Sequence, residues 1–194
     1  RFVSGTHRYS PRDTFAFVVP EDAGQKIYLL DRFFDPPMDI YQNRLNTPFN
    51  ISAHARATVL IHEITHLKSL TEDLAYLDSM RPFHDLINVN ISGAQVMQTD
   101  LADLRDTALS TLTPATLLFK TWDEFTQHWE DFGSSGTTSL LKDKVLSTTG
   151  CRSLEDARSM FMSNADKRID TILANADSVT YLISQLGREL DAGA

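Results

Sequence analysis

The run Ala53–Leu67 constrains the fold of this chain more than any other, because it carries the motif H-E-x-x-H from His62 to His66. It contains no Gly or Pro and is rich in helix formers, so it predicts an α-helix with Ser52 as its N-cap. Side chains four residues apart project from one face of a helix, one above the other. Two neutral imidazoles in that arrangement can bind one Zn²⁺, and Glu63 beside them can handle the metal-bound water. The motif therefore indicates a zinc hydrolase.

The residues before the motif favour a metal site. Residues 57–61 are nearly all apolar, as expected of a helix that packs into a hydrophobic core. Burying two histidines and a glutamate on such a helix is costly unless a partner satisfies them. A bound metal ion is one such partner, and a hydrogen-bonded structural cluster is the alternative.

A zinc site of this type needs a third protein ligand and one open position for water. The third histidine of the metzincins is missing, because Ser69 and Glu72 stand where that pattern has Gly and His. Six residues, from Leu67 to Glu72, are enough to turn the chain back towards the metal. The acids at or beyond the end of this connection are therefore the nearest candidates for the third ligand: Glu72, Asp73 and Asp78.

The segment Thr71–Tyr76 has the pattern Thr-x-Asp-x-Ala-Tyr. H-E-x-x-H followed shortly by this pattern resembles the aspzincin metallopeptidases, the family of deuterolysin and peptidyl-Lys metalloendopeptidase. The resemblance implies a zincin-like fold and hydrolysis of peptide bonds by a metal-activated water. It also implies three zinc ligands: His62, His66 and Asp73. Glu63 would be the general base, and Tyr76 would help to hold the reacting carbonyl oxygen.

The match to the family pattern is incomplete in three positions. The residues that replace its Gly, Tyr and Gly are Leu70, Leu74 and Leu77. Glu72 and Asp78 therefore stay open as alternative third ligands. If Thr71 caps a short helix, Asp73 and Tyr76 fall three residues apart on one of its faces.

Two weaker similarities lie outside the motif. Residues 26–34 resemble the strand and the Phe-rich turn upstream of the aspzincin helix. Residues 175–178, with the sequence Asn-Ala-Asp-Ser, resemble the segment that closes many members of the family. Cysteine-poor domains with H-E-x-x-H also occur in large bacterial toxins and injected effectors, and this chain resembles such a module.

The remaining pattern predicts one α+β domain over residues 1–194, mostly helical, with a small β-sheet beside the active-site helix. Phe15–Val19 and Lys26–Leu30 are apolar and β-branched or aromatic, so they predict a hairpin or two neighbouring strands. By analogy with zincins, the edge of this sheet would bind extended substrate through main-chain hydrogen bonds. Further helices are predicted over residues 100–112, 121–132, 153–162, 165–173 and 177–190.

The predicted helix over residues 121–132 carries aromatic residues at steps of three and four, which is typical of core packing. These residues are Trp122, Phe125, Trp129 and Phe132. The same helix also carries the alternative metal ligands of the type that a gluzincin takes from a later helix: Glu124, His128 and Glu130.

The sequence gives weaker indications of the position or role of three other side chains near the motif. His54 lies two turns ahead of His62, where an exposed position or one near the helix cap is expected. His84 and Asp85 either line the substrate cleft, orient a ligand histidine, or form a polar loop beside the site. The sequence predicts no particular substrate-binding residue.

Composition and charge limit the classes of molecule that this chain is expected to bind. The net charge of −8 argues against nucleic acid and anionic membranes, and no apolar run is long enough to span a bilayer. Cys151 is the only cysteine, so no intrachain disulfide can form. A disulfide-free chain fits a reducing cell interior or a toxin domain that unfolds for delivery. The start at Arg1, without Met or a signal-peptide pattern, indicates a piece of a longer or processed polypeptide.

The function that these observations favour is a zinc-dependent metalloendopeptidase. It would be the catalytic domain of a bacterial toxin or effector that is secreted or translocated into a target cell, and its substrate would be a protein or peptide. A zinc-stabilised protein-interaction domain without catalysis is the alternative, and a metal-free helical domain is a third. Glu63 favours the enzyme, because structural zinc does not need that carboxylate. The oligomeric state stays open.

Overall fold

The computed structural model describes residues 1–4, 14–19, 22–46, 48–106, 108–123 and 125–192. In these residues the fold is α+β, mostly helical, with a three-stranded and a two-stranded sheet. The predicted fold class is therefore confirmed. Glu124, one of the alternative metal ligands, lies outside the described residues.

The first five secondary-structure elements that the structure describes have three or four residues each. The strands are β1 (Phe2–Ser4), β2 (Ala16–Val18), β3 (Ile27–Leu29), β4 (Lys120–Asp123) and β5 (His128–Asp131). The helices are α1 (Asp31–Phe34), α2 (Asp39–Gln42), α3 (Ile51–Ser69), α4 (Ala94–Asp106), α5 (Ser139–Thr149), α6 (Leu154–Ser163), α7 (Ala165–Leu173) and α8 (Ala176–Ala192). None of the described helices combines the length and the apolar character that a bilayer span requires.

The three-stranded sheet lies beside α3, as predicted. Strands β2 and β3 form the expected antiparallel hairpin, with Phe17 opposite Tyr28. Strand β1, for which the sequence gives no clear signal, pairs in parallel with the other side of β3. The strand order is β1-β3-β2, so β2 is an edge strand among the described strands, and it packs against α3.

Helix α3 extends beyond the predicted run at both ends. Its N-cap is Asn50, whose side-chain oxygen accepts a hydrogen bond from the N–H of Ala53 at 3.0 Å, so the prediction of Ser52 as the cap is wrong. The helix ends because Leu70 adopts a left-handed conformation, with φ of 52°, and its N–H bonds the carbonyl of Thr65. Glycine is the usual residue in this conformation, so leucine here stores backbone strain.

Two hydrophobic clusters flank the segment that follows α3. The first joins the small sheet to α3 and α4 through residues such as Ile27, Val59 and Leu101. The second joins α5 and α6 to the base of the β4–β5 hairpin and includes Phe161. Leu74 is 4% exposed and belongs to the second cluster, so the chain beyond α3 is held between the two clusters.

The predicted helix over residues 121–132 is wrong, because this segment forms the β4–β5 hairpin. The Asp123 carboxylate accepts hydrogen bonds from the N–H groups of Phe125 and Thr126, which closes a turn instead of capping a helix. Trp122 and Trp129 face each other across the strands, with ring centroids 5.6 Å apart. The prediction of core packing fails for them and for Phe125, which is 99% exposed.

The other predicted helices agree with the structure to different degrees. Residues 153–162, 165–173 and 177–190 correspond to α6, α7 and α8, which confirms those predictions. The helix predicted over 100–112 is α4, which begins and ends six residues earlier. Helix α5 has no counterpart among the predictions.

Replacing Asn50 by Ala should destabilise the fold by about 1 kcal/mol, because an N–H of the first turn of α3 loses its acceptor. Ser52→Ala is the matched control and should change the free energy of unfolding by less than about 0.5 kcal/mol. Urea denaturation measures both. Equal effects of the two substitutions would contradict the assignment of the cap.

Candidate metal centre

Helix α3 brings the two histidines of the motif together on one face. The Nε2 atoms of His62 and His66 lie 3.1 Å apart, and the ring planes are inclined at 83°. Both side chains are largely buried, with 15% of each exposed. The one-turn spacing therefore produces the convergence that the sequence predicts.

Asp73 completes a group of three side chains that could bind a metal ion. Its Oδ1 atom lies 3.1 Å from Nε2 of His62 and 3.4 Å from Nε2 of His66. This oxygen is buried and has no well-aligned hydrogen bond within the described residues. A buried carboxylate oxygen without such a bond is costly unless another partner, such as a cation, satisfies it.

The spacing of the three atoms matches a tetrahedral metal site. Zinc bonds of 2.0–2.1 Å at the tetrahedral angle place any two ligand atoms about 3.3 Å apart. The three distances between Nε2 of His62, Nε2 of His66 and Oδ1 of Asp73 are 3.1, 3.1 and 3.4 Å. Within the described residues, this is the one group of three or more His, Cys, Asp or Glu side chains that could hold a metal ion.

In each histidine the Nδ1 atom, which does not face Asp73, contacts a hydrogen-bond acceptor. Nδ1 of His62 lies 3.2 Å from Oδ1 of Asp177, and Nδ1 of His66 lies 2.8 Å from the carbonyl oxygen of Thr71. Both partners are acceptors, so the proton of each neutral ring belongs on Nδ1 and the lone pair on Nε2. Such contacts fix the orientation of ligand histidines in metal sites.

Asp177 links His62 to the loop that carries Asp73. Its Oδ1 also accepts a hydrogen bond from the hydroxyl of Ser79 at 2.7 Å, and its Oδ2 accepts one from the N–H of Leu77 at 2.6 Å. Asp177 is 5% exposed and lies in the first turn of α8. One carboxylate therefore sets both the ring of His62 and the path of the loop.

The loop itself is anchored by α3 and by the start of α8. Thr71 shares a hydrogen bond of 2.7 Å with Thr65 of α3. Asn175 is fully buried, accepts from the N–H of Ala75 at 3.0 Å and donates to its carbonyl at 2.9 Å. Main-chain bonds of Glu72 to residues 174 and 176 add a short parallel bridge.

The expected short helix capped by Thr71 does not form. Residues 71–78 are irregular, apart from the isolated bridge of Glu72. Asp73 and Tyr76 nevertheless meet, because the phenol of Tyr76 donates to Oδ2 of Asp73 at 3.2 Å. The two oxygens of Asp73 are thus directed differently, Oδ1 towards the histidines and Oδ2 towards Tyr76.

The electrostatics of the group are those of a carboxylate between two imidazoles. Burial alone would raise the pKa of Asp73, but the hydrogen-bonding and charge interactions with His62 and His66 outweigh it and lower that pKa. Burial alone would lower the pKa of His62, but Asp177 and Asp73 raise it to about 10. The pKa of His66 also rises against burial, through Asp73 and the Thr71 carbonyl. Without a metal, the group therefore holds a proton at neutral pH.

Glu63 lies beside this group in a cleft of about 1060 Å³ between β2, α3 and the loop beyond it. It is 6% exposed, and within the described residues its carboxylate makes no hydrogen bond. Burial raises the pKa of Glu63, partly offset by the two histidines. A carboxylate with a raised pKa is suited to accept and return a proton near neutral pH.

The alternative third ligands that the structure describes lie outside the group formed by His62, His66 and Asp73. Glu72 and Asp78 line the cleft but do not join the ligand group, and Asp78 forms an ion pair with Arg81. His128 and Glu130 pair with each other on the β4–β5 hairpin. Of the acids nearest the motif, Asp73 alone has an oxygen beside both Nε2 atoms.

His54, which lies on α3, has structural contacts. His54 is partly buried against Phe49 and Phe83, and its Nε2 lies 3.1 and 3.2 Å from the carbonyl oxygens of Ser79 and Arg81. His54 is therefore not exposed, but it lies in the first turn of α3 near the Asn50 cap, which agrees with the second expectation for it.

His84 and Asp85 form part of an exposed 3₁₀ turn. Asp85 pairs with Arg188 of α8 instead of orienting a ligand histidine. Of the expectations for these two residues, the polar loop fits the structure.

The roles of Asp177, Ser79 and Asn175 are not predicted from the sequence. A signal was present in the Asn-Ala-Asp-Ser segment at residues 175–178, where polar residues precede an amphipathic helix. That segment lies about 100 residues beyond the loop, and no local pattern connects the two.

Comparisons with protein-family models, with curated proteins and with solved structures find no match for this chain.

Replacing Asn175 by Ala should destabilise the fold by about 2–3 kcal/mol, because it leaves the N–H and carbonyl of Ala75 without their side-chain partner in a buried position. Asn90→Ala is the matched control, since Asn90 is exposed and its side chain makes no hydrogen bond within the described residues. Urea denaturation of both variants measures the difference. A loss below 0.5 kcal/mol at position 175 would contradict the proposed anchoring of the loop.

Proposed function

We propose that this chain is a zinc-dependent endopeptidase in which His62, His66 and Asp73 hold the metal and Glu63 is the general base. The observation that carries the proposal is the set of three candidate ligand atoms on partly buried side chains, 3.1–3.4 Å from one another, beside a buried glutamate. Three protein ligands leave the fourth position of a tetrahedral ion for water, as in catalytic zinc sites. Within this proposal, the resemblance to the aspzincins extends to the ligand set.

In the proposed reaction, each of these side chains has a separate role. The bound ion would lower the pKa of its water to about 7 and polarise the peptide carbonyl. Glu63 takes the proton of the attacking water and returns it to the leaving amine. The phenol of Tyr76 stabilises the negative charge on the carbonyl oxygen. Since its single O–H bonds Asp73 in this structure, Tyr76 must release Asp73 to make that contact.

The cleft supports a polypeptide substrate. Because the N–H of Leu30 bonds the carbonyl of Phe15, the register directs the main-chain groups of Ala16 and Val18 away from β3. Strand β2 lines the cleft along its length, so these groups can pair with an extended peptide beside the ligand group. The proposed substrate is therefore a protein segment in extended form.

The proposal extends to a secreted or translocated bacterial toxin or effector. The single cysteine means that the fold contains no disulfide, so it can form under reducing conditions. A zinc-stabilised interaction domain is less consistent with the site, because structural zinc sites have four protein ligands. In an interaction domain, burial of the Glu63 carboxylate would also cost free energy without serving catalysis.

Glu63→Gln should retain one zinc ion per chain and lower kcat for a cleaved peptide by a factor of about 10²–10⁴, because the amide cannot accept the proton of the water. Zinc content by elemental analysis and peptide cleavage by mass spectrometry measure the two effects. His62→Ala should lose the metal and the activity together. Glu130→Gln, outside the cleft, is the matched control and should behave as the parent.

Cleavage by Glu63→Gln at the rate of the parent would show that the base is wrongly assigned. A metal-saturated parent that leaves a diverse peptide library intact would favour the interaction domain.

Zinc affinity should rise with pH between 6 and 8. The pKa of His62 is raised to about 10 without metal, so the ion must displace a proton throughout this range. Each displaced proton makes binding about tenfold tighter per pH unit. Competition with a chromogenic chelator measures the slope. His54→Gln removes a histidine that is not a ligand and should keep the slope, whereas an affinity independent of pH would contradict the assignment of His62 as a ligand.

A further inference from the structure

The end of the cleft beyond Glu63 is apolar. Val59 lies one helical turn before Glu63 on α3 and therefore continues the same face of the helix. It shares a hydrophobic cluster with Phe15, which precedes β2, and with Met80 of the loop beyond the ligands. Leu104 of α4 adds a fourth apolar side chain to the lining. We call the lining formed by Phe15, Val59, Met80 and Leu104 the apolar end of the cleft.

Most of the charges around the apolar end are already paired. The carboxylate of Asp78 forms an ion pair with Arg81, and both residues line the cleft. The carboxylate of Asp177 is occupied by His62, Ser79 and Leu77. Asp100 is exposed on the rim. Glu63 and Asp100 keep the cleft negative, which disfavours an acidic side chain, and the apolar lining favours a large uncharged one.

We propose that the apolar end is a specificity subsite that takes one large apolar side chain, such as Leu, Met or Phe, next to the scissile bond of a polypeptide substrate. The inference rests on the proposed peptidase function. The subsite adjoins Glu63, so a side chain bound there belongs to a residue at the cleaved bond. Burial of such a side chain in place of Ala should raise kcat/KM by about 10- to 100-fold.

Leu104 is the residue at which the subsite is best tested. It is partly buried on α4 and lies outside the hydrophobic cluster that joins the sheet to α3. Leu104→Trp should fill the subsite and reduce the preference for Phe over Ala at least tenfold. Leu112→Trp is the matched control, because Leu112 is 70% exposed and does not line the cleft. The control should keep the preference of the parent.

The experiment uses zinc-loaded protein and internally quenched peptides. The residue on each side of the scissile bond is varied in turn among Ala, Leu, Phe, Lys and Glu, and kcat/KM is measured for each peptide. The same peptides are titrated against zinc-loaded Glu63→Gln by fluorescence anisotropy, which reports the preference in binding without turnover. We expect Leu and Phe to exceed Ala, Lys and Glu by at least tenfold at one of the two positions, in both assays.

The possible results separate the subsite from the peptidase function. Cleavage without an apolar preference, or with Lys preferred through Asp100, would overturn the subsite and leave the peptidase function standing. A preference that Leu104→Trp does not reduce would also overturn it. Failure to cleave any peptide, together with binding by Glu63→Gln that does not depend on the varied residue, would overturn both.

Discussion

The convergence of two imidazole nitrogens and one carboxylate oxygen in a buried position is the constraint on which the rest of this structure depends. The two Nε2 atoms face each other at 3.1 Å, and Oδ1 of Asp73 has no well-aligned hydrogen bond of its own. Without a cation, protonation of the histidines has to offset the charge of Asp73. A divalent ion would satisfy all three atoms at the distances observed, which is why we propose that this group holds a metal.

The frame around this group is built from distant parts of the chain. Helix α8 packs along α3, and its first turn supplies Asp177 to His62 and to the loop of the third ligand. Asn175 holds the same loop through the main chain of Ala75. The first hydrophobic cluster packs α3 against the small sheet and α4, and the second holds Leu74 of the same loop. The site is therefore preorganised by packing and hydrogen bonds over about 100 residues of separation.

Local patterns in the sequence were sufficient for the parts of the structure that depend on local forces. The motif helix, the β2–β3 hairpin and α6 to α8 follow from periodicity and capping. The β4–β5 hairpin did not, because aromatic residues at three- and four-residue steps fit a helix while Asp123 closes a turn. The choice of Asp73 over Glu72 and Asp78 rests on the family resemblance, because the spacing leaves all three open. Its position depends on Asn175 and Asp177, which only the tertiary structure brings near.

The most direct measurement of the central claim is a crystal structure with anomalous diffraction recorded on both sides of the zinc absorption edge. The account predicts one anomalous peak, bonded at about 2.0–2.2 Å to Nε2 of His62, Nε2 of His66 and a carboxylate oxygen of Asp73. A zinc-saturated crystal with no peak at this position, or with the peak bound by Glu72 or Asp78 in place of Asp73, would contradict it.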